Sequence, residues 1–80
     1  MTREAIIEQL TPIARAMFKD DTLVVTDDLS AANVSTWSSM SFMMFLTEIE
    51  NHFGFKFKMM EILTLKNMGA IIDAVAKHVE

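Results

Sequence analysis

Apolar residues recur along the first stretch of the chain at spacings of four, three and four, at Ile6, Leu10, Ile13 and Met17. That period draws one apolar stripe along a helix from about Thr2 to Phe18. Pro12 falls inside the pattern and has no N–H for the carbonyl one turn back. Either the helix is distorted there, or a second helical piece begins with Thr11 as cap and Pro12 at its first position. The stripe continues through the proline in phase, which favours one helix with a local distortion.

The period is lost from Lys19 to Ser38. This stretch holds paired acids at Asp20-Asp21 and Asp27-Asp28, and isolated apolar residues at Leu23, Val25, Leu29, Val34 and Trp37. An irregular segment of this length is unusual in a compact domain and often functional. Its spaced apolar anchors predict a strap held against the core.

Helical spacing returns near Ser39. Met40, Met43, Leu46, Ile49 and Phe53 keep to one face, and Gly54 stops the helix, as glycine commonly does just past a helix end. Phe55-Lys56-Phe57-Lys58 alternates apolar and charged for too few residues to make a sheet, and reads as an extended connector. A short third helix is predicted over Met59 to Leu65, with Ile62 and Leu65 inward. Asn67 is a good N-cap for a last helix showing Met68, Ile71, Ile72, Val75 and Val79 on one side. The expected fold is all-α: a small four-helix bundle, three main helices and one short one, with a long first loop, in a single domain over residues 1–80.

The totals narrow the function. Of 80 residues, 51% are hydrophobic and 22% charged, which is a globular rather than a disordered composition. A chain of this size buries only about 60% of the surface it exposes when unfolded, so the core is thin. There is no cysteine, which excludes disulfides, thiolate metal sites and cysteine nucleophiles. A net charge of −4 argues against a nucleic-acid partner, which needs a basic patch. No apolar run approaches the roughly 20 residues needed to span a bilayer, and the acid in Met1-Thr2-Arg3-Glu4 does not suit a signal peptide. The expectation is a soluble, cytoplasmic, monomeric protein. Eight methionines and six phenylalanines, with no tyrosine, suggest a small core packed with flexible side chains.

Few residues suit catalysis. His52 and His78 each sit near a helix end, where a histidine complements the helix dipole more often than it binds a metal. Neither has a partner at metal-ligand spacing. Glu48 and Glu50, two residues apart, point to different faces and make a poor acid–base pair. The chain therefore does not read as an enzyme. What remains is a cluster of hydroxyls around Trp37: Ser35, Thr36, Ser38, Ser39 and Ser41. One of them is needed as a helix N-cap. A serine at such a helix start is also a favourable place for a phosphodiester, because exposed N–H groups and the helix dipole stabilise an anion.

At Trp37-Ser38-Ser39-Met40, followed by the helix to Phe53-Gly54, the chain resembles the acyl and peptidyl carrier protein family. Many members read Trp-Asp-Ser-Leu there, with the modified serine fifteen residues before the glycine of a Phe-Gly pair. Fifteen residues back from Gly54 is Ser39. Asp27-Asp28-Leu29 is similar to the family's acidic first loop, and Gly54-Phe55-Lys56-Phe57 to its Gly-apolar-x-apolar connector. Lys66-Asn67-Met68-Gly69-Ala70-Ile71-Ile72 is similar to the Lys-Thr-Val-Gly-Asp-Leu-Ile start of its last helix. These blocks fall in register without gaps.

The resemblance implies that a phosphopantetheinyl transferase attaches a covalent 4'-phosphopantetheine arm to Ser39. An acyl- or aminoacyl-loading ligase would charge the arm's thiol as a thioester, and a downstream transferase or synthase would take the cargo. Ser38 stands where most members have aspartate and Met40 where they have leucine; some aminoacyl carriers, including D-alanyl carrier proteins, are similar here. The second helix also lacks the belt of acids that fatty-acid carriers use for docking. Met44 occupies the outward position five residues after Ser39, and a patch of Met40, Met44 and Phe42, with Glu48 beyond it, would dock partners by apolar contact. This suggests a carrier dedicated to one specialised pathway. A different class of reading is an unmodified helical interaction domain that binds a protein partner through the methionine-rich second helix.

Overall fold

A computed structural model describes all of residues 1–80 as four helices with no strand: α1 (Arg3–Met17), α2 (Ser39–Phe53), α3 (Met59–Ile62) and α4 (Met68–His78). The all-α architecture with a long first loop is the expected one. α1 packs against both α2 and α4, and their inner faces close over a core that contains no buried polar side chain.

α1 runs unbroken through Pro12. Thr2 caps it, its hydroxyl oxygen accepting the Ala5 N–H at 3.1 Å. The Thr11 hydroxyl donates to the Ile7 carbonyl oxygen at 2.7 Å, immediately before the residue that cannot donate. The buried row, however, is Ile6, Leu10, Ala14 and Phe18, not the predicted Ile6, Leu10, Ile13 and Met17. α1 faces two helices rather than one, so its apolar arc is broad. The row at steps of four lies deepest, as in ridge-to-groove packing, while Ile13 and Met17 are half-buried on its flank.

The predicted face of α2 also needs correcting. Phe45, Leu46 and Ile49 are buried, whereas Met40 is 74% exposed and Met43 47% exposed. Phe42 to Leu46 is an unbroken run of apolar residues, so no polar face marks which side turns outward. The choice is made by fit: Phe45 lies against Phe18, ring centres 5.2 Å apart. A fully buried ring removes more apolar area from water than an unbranched thioether left at the surface. Gly54 ends α2 in the left-handed conformation, φ 78°.

The first loop is a strap, as its anchors suggest. Leu23, Val25 and Val34 are buried in the core, and Leu29 and Trp37 pack against it. Its firmest attachment is to the start of α4, where the first N–H groups of the helix have no partner within the helix. The Met68 N–H donates to the Leu29 carbonyl at 2.8 Å and the Gly69 N–H to the Asp27 carbonyl at 3.0 Å. The Ala70 N–H is taken by the predicted cap, Asn67 Oδ1, at 2.8 Å. Arg3 braces the same junction, its guanidinium bonded to Asp27 at 2.7 Å and to Asp73 of α4.

α3 is shorter than the predicted Met59–Leu65. Thr64 ends it, its hydroxyl and its N–H both donating to the Glu61 carbonyl, at 2.7 and 3.0 Å, a local competition typical of threonine. Leu65 is buried and Ile62 half-buried, as expected, while Leu63 is 65% exposed. The connector before α3 is held by Glu50, whose Oε2 accepts the Phe57 N–H at 2.8 Å. α3 itself is tied to the end of α4 by His78, whose Nε2 lies 2.8 Å from Glu61 Oε1. The imidazole also stacks on Phe55, ring centres 4.2 Å apart.

Partial burial pushes the Glu61 carboxyl up, but hydrogen bonds from His78 and from the Lys58 N–H, with the charge of the imidazolium, outweigh it and hold Glu61 below the ordinary carboxylate range. A carboxylate whose pKa is lower folded than unfolded stabilises the protein above the unfolded value, about 4.3, and that contribution is lost as pH falls through the folded value. Glu61→Gln should therefore lower the urea midpoint near neutrality, with the gap to wild type closing in acid. A gap that persists unchanged at low pH would show that the pair does not couple to folding.

Gly69 is required by proximity rather than backbone angle: a Cβ there would meet Asp27 Cβ at 3.1 Å and the Asp27 carbonyl oxygen at 3.2 Å. That oxygen accepts the Gly69 N–H, so it cannot retreat without losing the bond. Gly69→Ala, which in an open helix gains about 1 kcal/mol, should here lose roughly 1 kcal/mol by denaturant unfolding. A gain would mean that the strap yields freely.

Candidate functional site

The hydroxyl cluster lies where the strap meets α2. Trp37 sets the junction, its indole stacked between Phe18 and Phe42 with ring centres at 4.9 and 5.9 Å. The Trp37 backbone N–H donates to the Val34 carbonyl at 3.0 Å, closing the last turn of the loop. Phe42 is therefore half-buried against Trp37, not part of an outward patch.

The serines then divide by role. Ser38 is the N-cap of α2: its Oγ accepts the Ser41 N–H at 3.1 Å, and Ser41 Oγ accepts the Ser38 N–H at 2.8 Å. The Ser41 hydroxyl donates to the Thr36 carbonyl at 2.7 Å. This reciprocal box engages both hydroxyls and satisfies two backbone donors at the helix end. Serine at position 38 thus performs the capping that an aspartate would perform. Ser39, the first residue of α2, is exposed, and its hydroxyl takes no part in the box. No acidic residue occupies the first turn, so nothing within that turn offsets the positive end of the helix dipole.

Ser39, Met40, Met44 and Glu48 line one open cleft, together with Met17, Met43 and Thr47; its volume is about 640 Å³. Met40 and Met44 are 74% and 47% exposed, and Glu48 is exposed. A second cleft of about 540 Å³ adjoins it, sharing Met17, Met40 and Met44 and reaching Lys19, Ser35, Thr36, Ser38 and Ser41. Met17 and Lys19 were not foreseen here. Met17 belongs to the predicted core stripe of α1 but reaches the cleft wall, and Lys19, in the left-handed conformation at φ 53°, follows Phe18, the C-cap of α1.

The two histidines differ. His52 Nε2 lies 2.8 Å from Gln9 Oε1 and joins the end of α2 to α1. His78 meets Glu61, seventeen residues away in sequence, a pairing that only the fold creates. Both are distant from the hydroxyl cluster in the chain, and neither lines the two clefts around Ser39. No helix is long and apolar enough to cross a membrane.

No protein-family model matches the sequence, and no curated protein matches it. Among solved structures, the chain is similar to the holo acyl carrier protein of Geobacter metallireducens, determined by solution NMR, with a TM-score of 0.83. The two are 39% identical over an alignment covering 89% of this chain and 82% of the other. Identity at that level, sustained over nearly the whole length of both chains, reflects common descent as well as common shape: this protein belongs to the acyl carrier protein family.

Proposed function

We propose that Ser39 carries a 4'-phosphopantetheine arm and that the protein holds an acyl or aminoacyl group on it as a thioester, presenting the group to enzymes of a specialised pathway. The observation that carries this reading is the Ser39 hydroxyl, exposed at the start of α2 and free of the box that occupies Ser38 and Ser41 on either side. The related Geobacter protein is a holo form. Ser39 is exposed, and a phosphate attached there lies at the positive end of a helix whose first turn has no acid.

In the attachment step the Ser39 oxygen forms a bond to phosphorus as the pyrophosphate bond of coenzyme A breaks. Adenosine 3',5'-bisphosphate leaves, and the hydroxyl proton passes to a base on the transferase. When bound, the arm supplies the thiol that this cysteine-free chain lacks. The protein's own residues cap the helix, hold Ser39 outward and offer a surface for docking. In this reading the carrier is a monomer and is not itself an enzyme, the chemistry resting on the arm and on partner enzymes.

Met40, Met44 and Glu48 form the docking face for the loading ligase and the downstream transferase or synthase. Over the first half of α2 the outer face is mainly thioether, at Met40, Met43 and Met44, so recognition there rests on apolar contact with adaptable side chains. The reading of an unmodified interaction domain drew its support from the missing aspartate, and Ser38 fills that residue's structural place.

Incubation with coenzyme A and a broad-specificity phosphopantetheinyl transferase should add one phosphopantetheinyl mass to the wild type and none to Ser39→Ala. A gain that survives in Ser39→Ala would move the site. The absence of any gain, in a protein that is also unmodified in its own host, would favour the interaction domain.

Met44→Glu should slow loading by the cognate ligase roughly tenfold, equivalent to about 1.4 kcal/mol of lost contact. An unchanged rate would place docking elsewhere.

A further inference from the structure

We propose that α3 and the segments flanking it form a lipid-contact patch that rests reversibly on a bilayer surface containing anionic lipid. Met59, Met60 and Leu63 enter the interface, and Lys56, Lys58 and Lys66 meet the headgroups.

Three apolar side chains stand together here with nothing over them. Met59 and Met60 are 79% and 75% exposed, more than any other large apolar residue of the chain, and Leu63 is exposed beside them. Leu63 follows Met60 by three residues and Met59 by four, and its backbone angles are still helical, so the three share one face. α3 itself has no fully buried residue; it is seated by half-buried Ile62 and by Leu65 just beyond it. None of the three exposed side chains lines a cleft, so they project from a convex surface. Contiguous exposed apolar side chains of this kind mark contact with a protein or a membrane.

Charge surrounds the same turn. Phe55 is half-buried and Phe57 buried, which leaves Lys56 and Lys58 exposed on the connector into α3, and Lys66 is exposed just past it. The nearby acids are engaged within the protein. Glu50 accepts the Phe57 N–H, and Glu61 accepts the Lys58 N–H at 3.0 Å and meets His78. Residues 54–66 hold three lysines and one glutamate, net +2, in a chain of net −4, so the rest of the chain carries −6. An anionic surface therefore attracts this side of the molecule and repels the others.

Size and shape decide between lipid and protein. A specific protein interface covers about 800 Å² on each partner, roughly twenty residues, whereas this patch is six side chains on one convex turn. A fluid interface needs no matching shape, and affinity there grows with inserted apolar area and with lysine charge. The His78 bond to Glu61 and its stacking on Phe55 hold α3 as a platform. None of these residues lines the two clefts around Ser39, so enzyme docking and lipid contact use different side chains. The inference stands whether or not Ser39 is modified.

The test is co-sedimentation of the full-length chain, with and without the arm, with vesicles of phosphatidylcholine alone or mixed with an equal part of phosphatidylglycerol. Both forms should bind the mixed vesicles, be released by high salt, and stay in solution with phosphatidylcholine alone. Lys56→Gln should weaken binding about fivefold, equivalent to about 1 kcal/mol, and Met59→Ser combined with Met60→Ser roughly tenfold. All three positions are exposed, so the thermal midpoint should not move. Val24→Ser, at an exposed apolar position in the strap, should bind as the wild type does. Binding that ignores the lysine and methionine changes, or that Val24→Ser weakens as much, would overturn the proposal. So would the absence of binding to the mixed vesicles. Self-association lost in the methionine variant would then assign the patch to a second copy, and slower loading by the ligase in Lys56→Gln would assign it to an enzyme.

Discussion

The ring of Phe18 sits where three parts of the chain meet. It is the last turn's contribution from α1, it has no exposed surface, and it touches Trp37 at the end of the strap and Phe45 on α2. Contact on both sides fixes the angle at which the loop delivers Trp37 and the rotation at which α2 begins. The position of Ser39 follows from these, as does the outward turn of Met40, Met43 and Met44. A thin core has few redundant contacts, so a residue that joins three segments carries an unusual share of the order around the site. Removing it would leave a cavity where the Trp37 and Phe45 rings now meet it.

A second set of constraints acts at the middle of the strap, and it is polar. The carbonyls of Asp27 and Leu29 take the first free N–H groups of α4, Asn67 takes the next, and Arg3 spans Asp27 and Asp73. The strap is thus held by aromatic stacking near the functional serine and by backbone hydrogen bonds near α4. Gly69 records the second attachment in the sequence, because any side chain there would stand in the space the strap needs.

Much of this is legible from residue order. The helix start near Ser39 follows from the return of helical spacing and the start at Met68 from Asn67, the stop at Gly54 from a residue that accepts positive φ, and the strap from apolar residues too widely spaced for a helix; that Ser38 is the hydroxyl that caps α2 is visible only in the geometry. The rotation of α2 is not legible, because Phe42 to Leu46 is apolar throughout and periodicity needs a polar side to measure against. The buried row of α1 was displaced by one position for a related reason: α1 serves two neighbours, and a stripe assumes one. Ser39 stands out through the resemblance to the carrier family, by its register to Gly54, whereas the freedom of its hydroxyl depends on the engagement of Ser38 and Ser41, which only geometry displays. Glu61 with His78, and Met17 with Met44, are meetings of distant segments that no local pattern encodes.

Trp37 gives the molecule a further property. It is the sole tryptophan, and there is no tyrosine, so near-ultraviolet emission from the chain comes from a single indole. That indole stands two residues before Ser39 and between two phenyl rings. Its colour and anisotropy therefore report on the junction between strap and helix without any added dye, and an arm or partner that disturbs this stack would announce itself in the protein's own light.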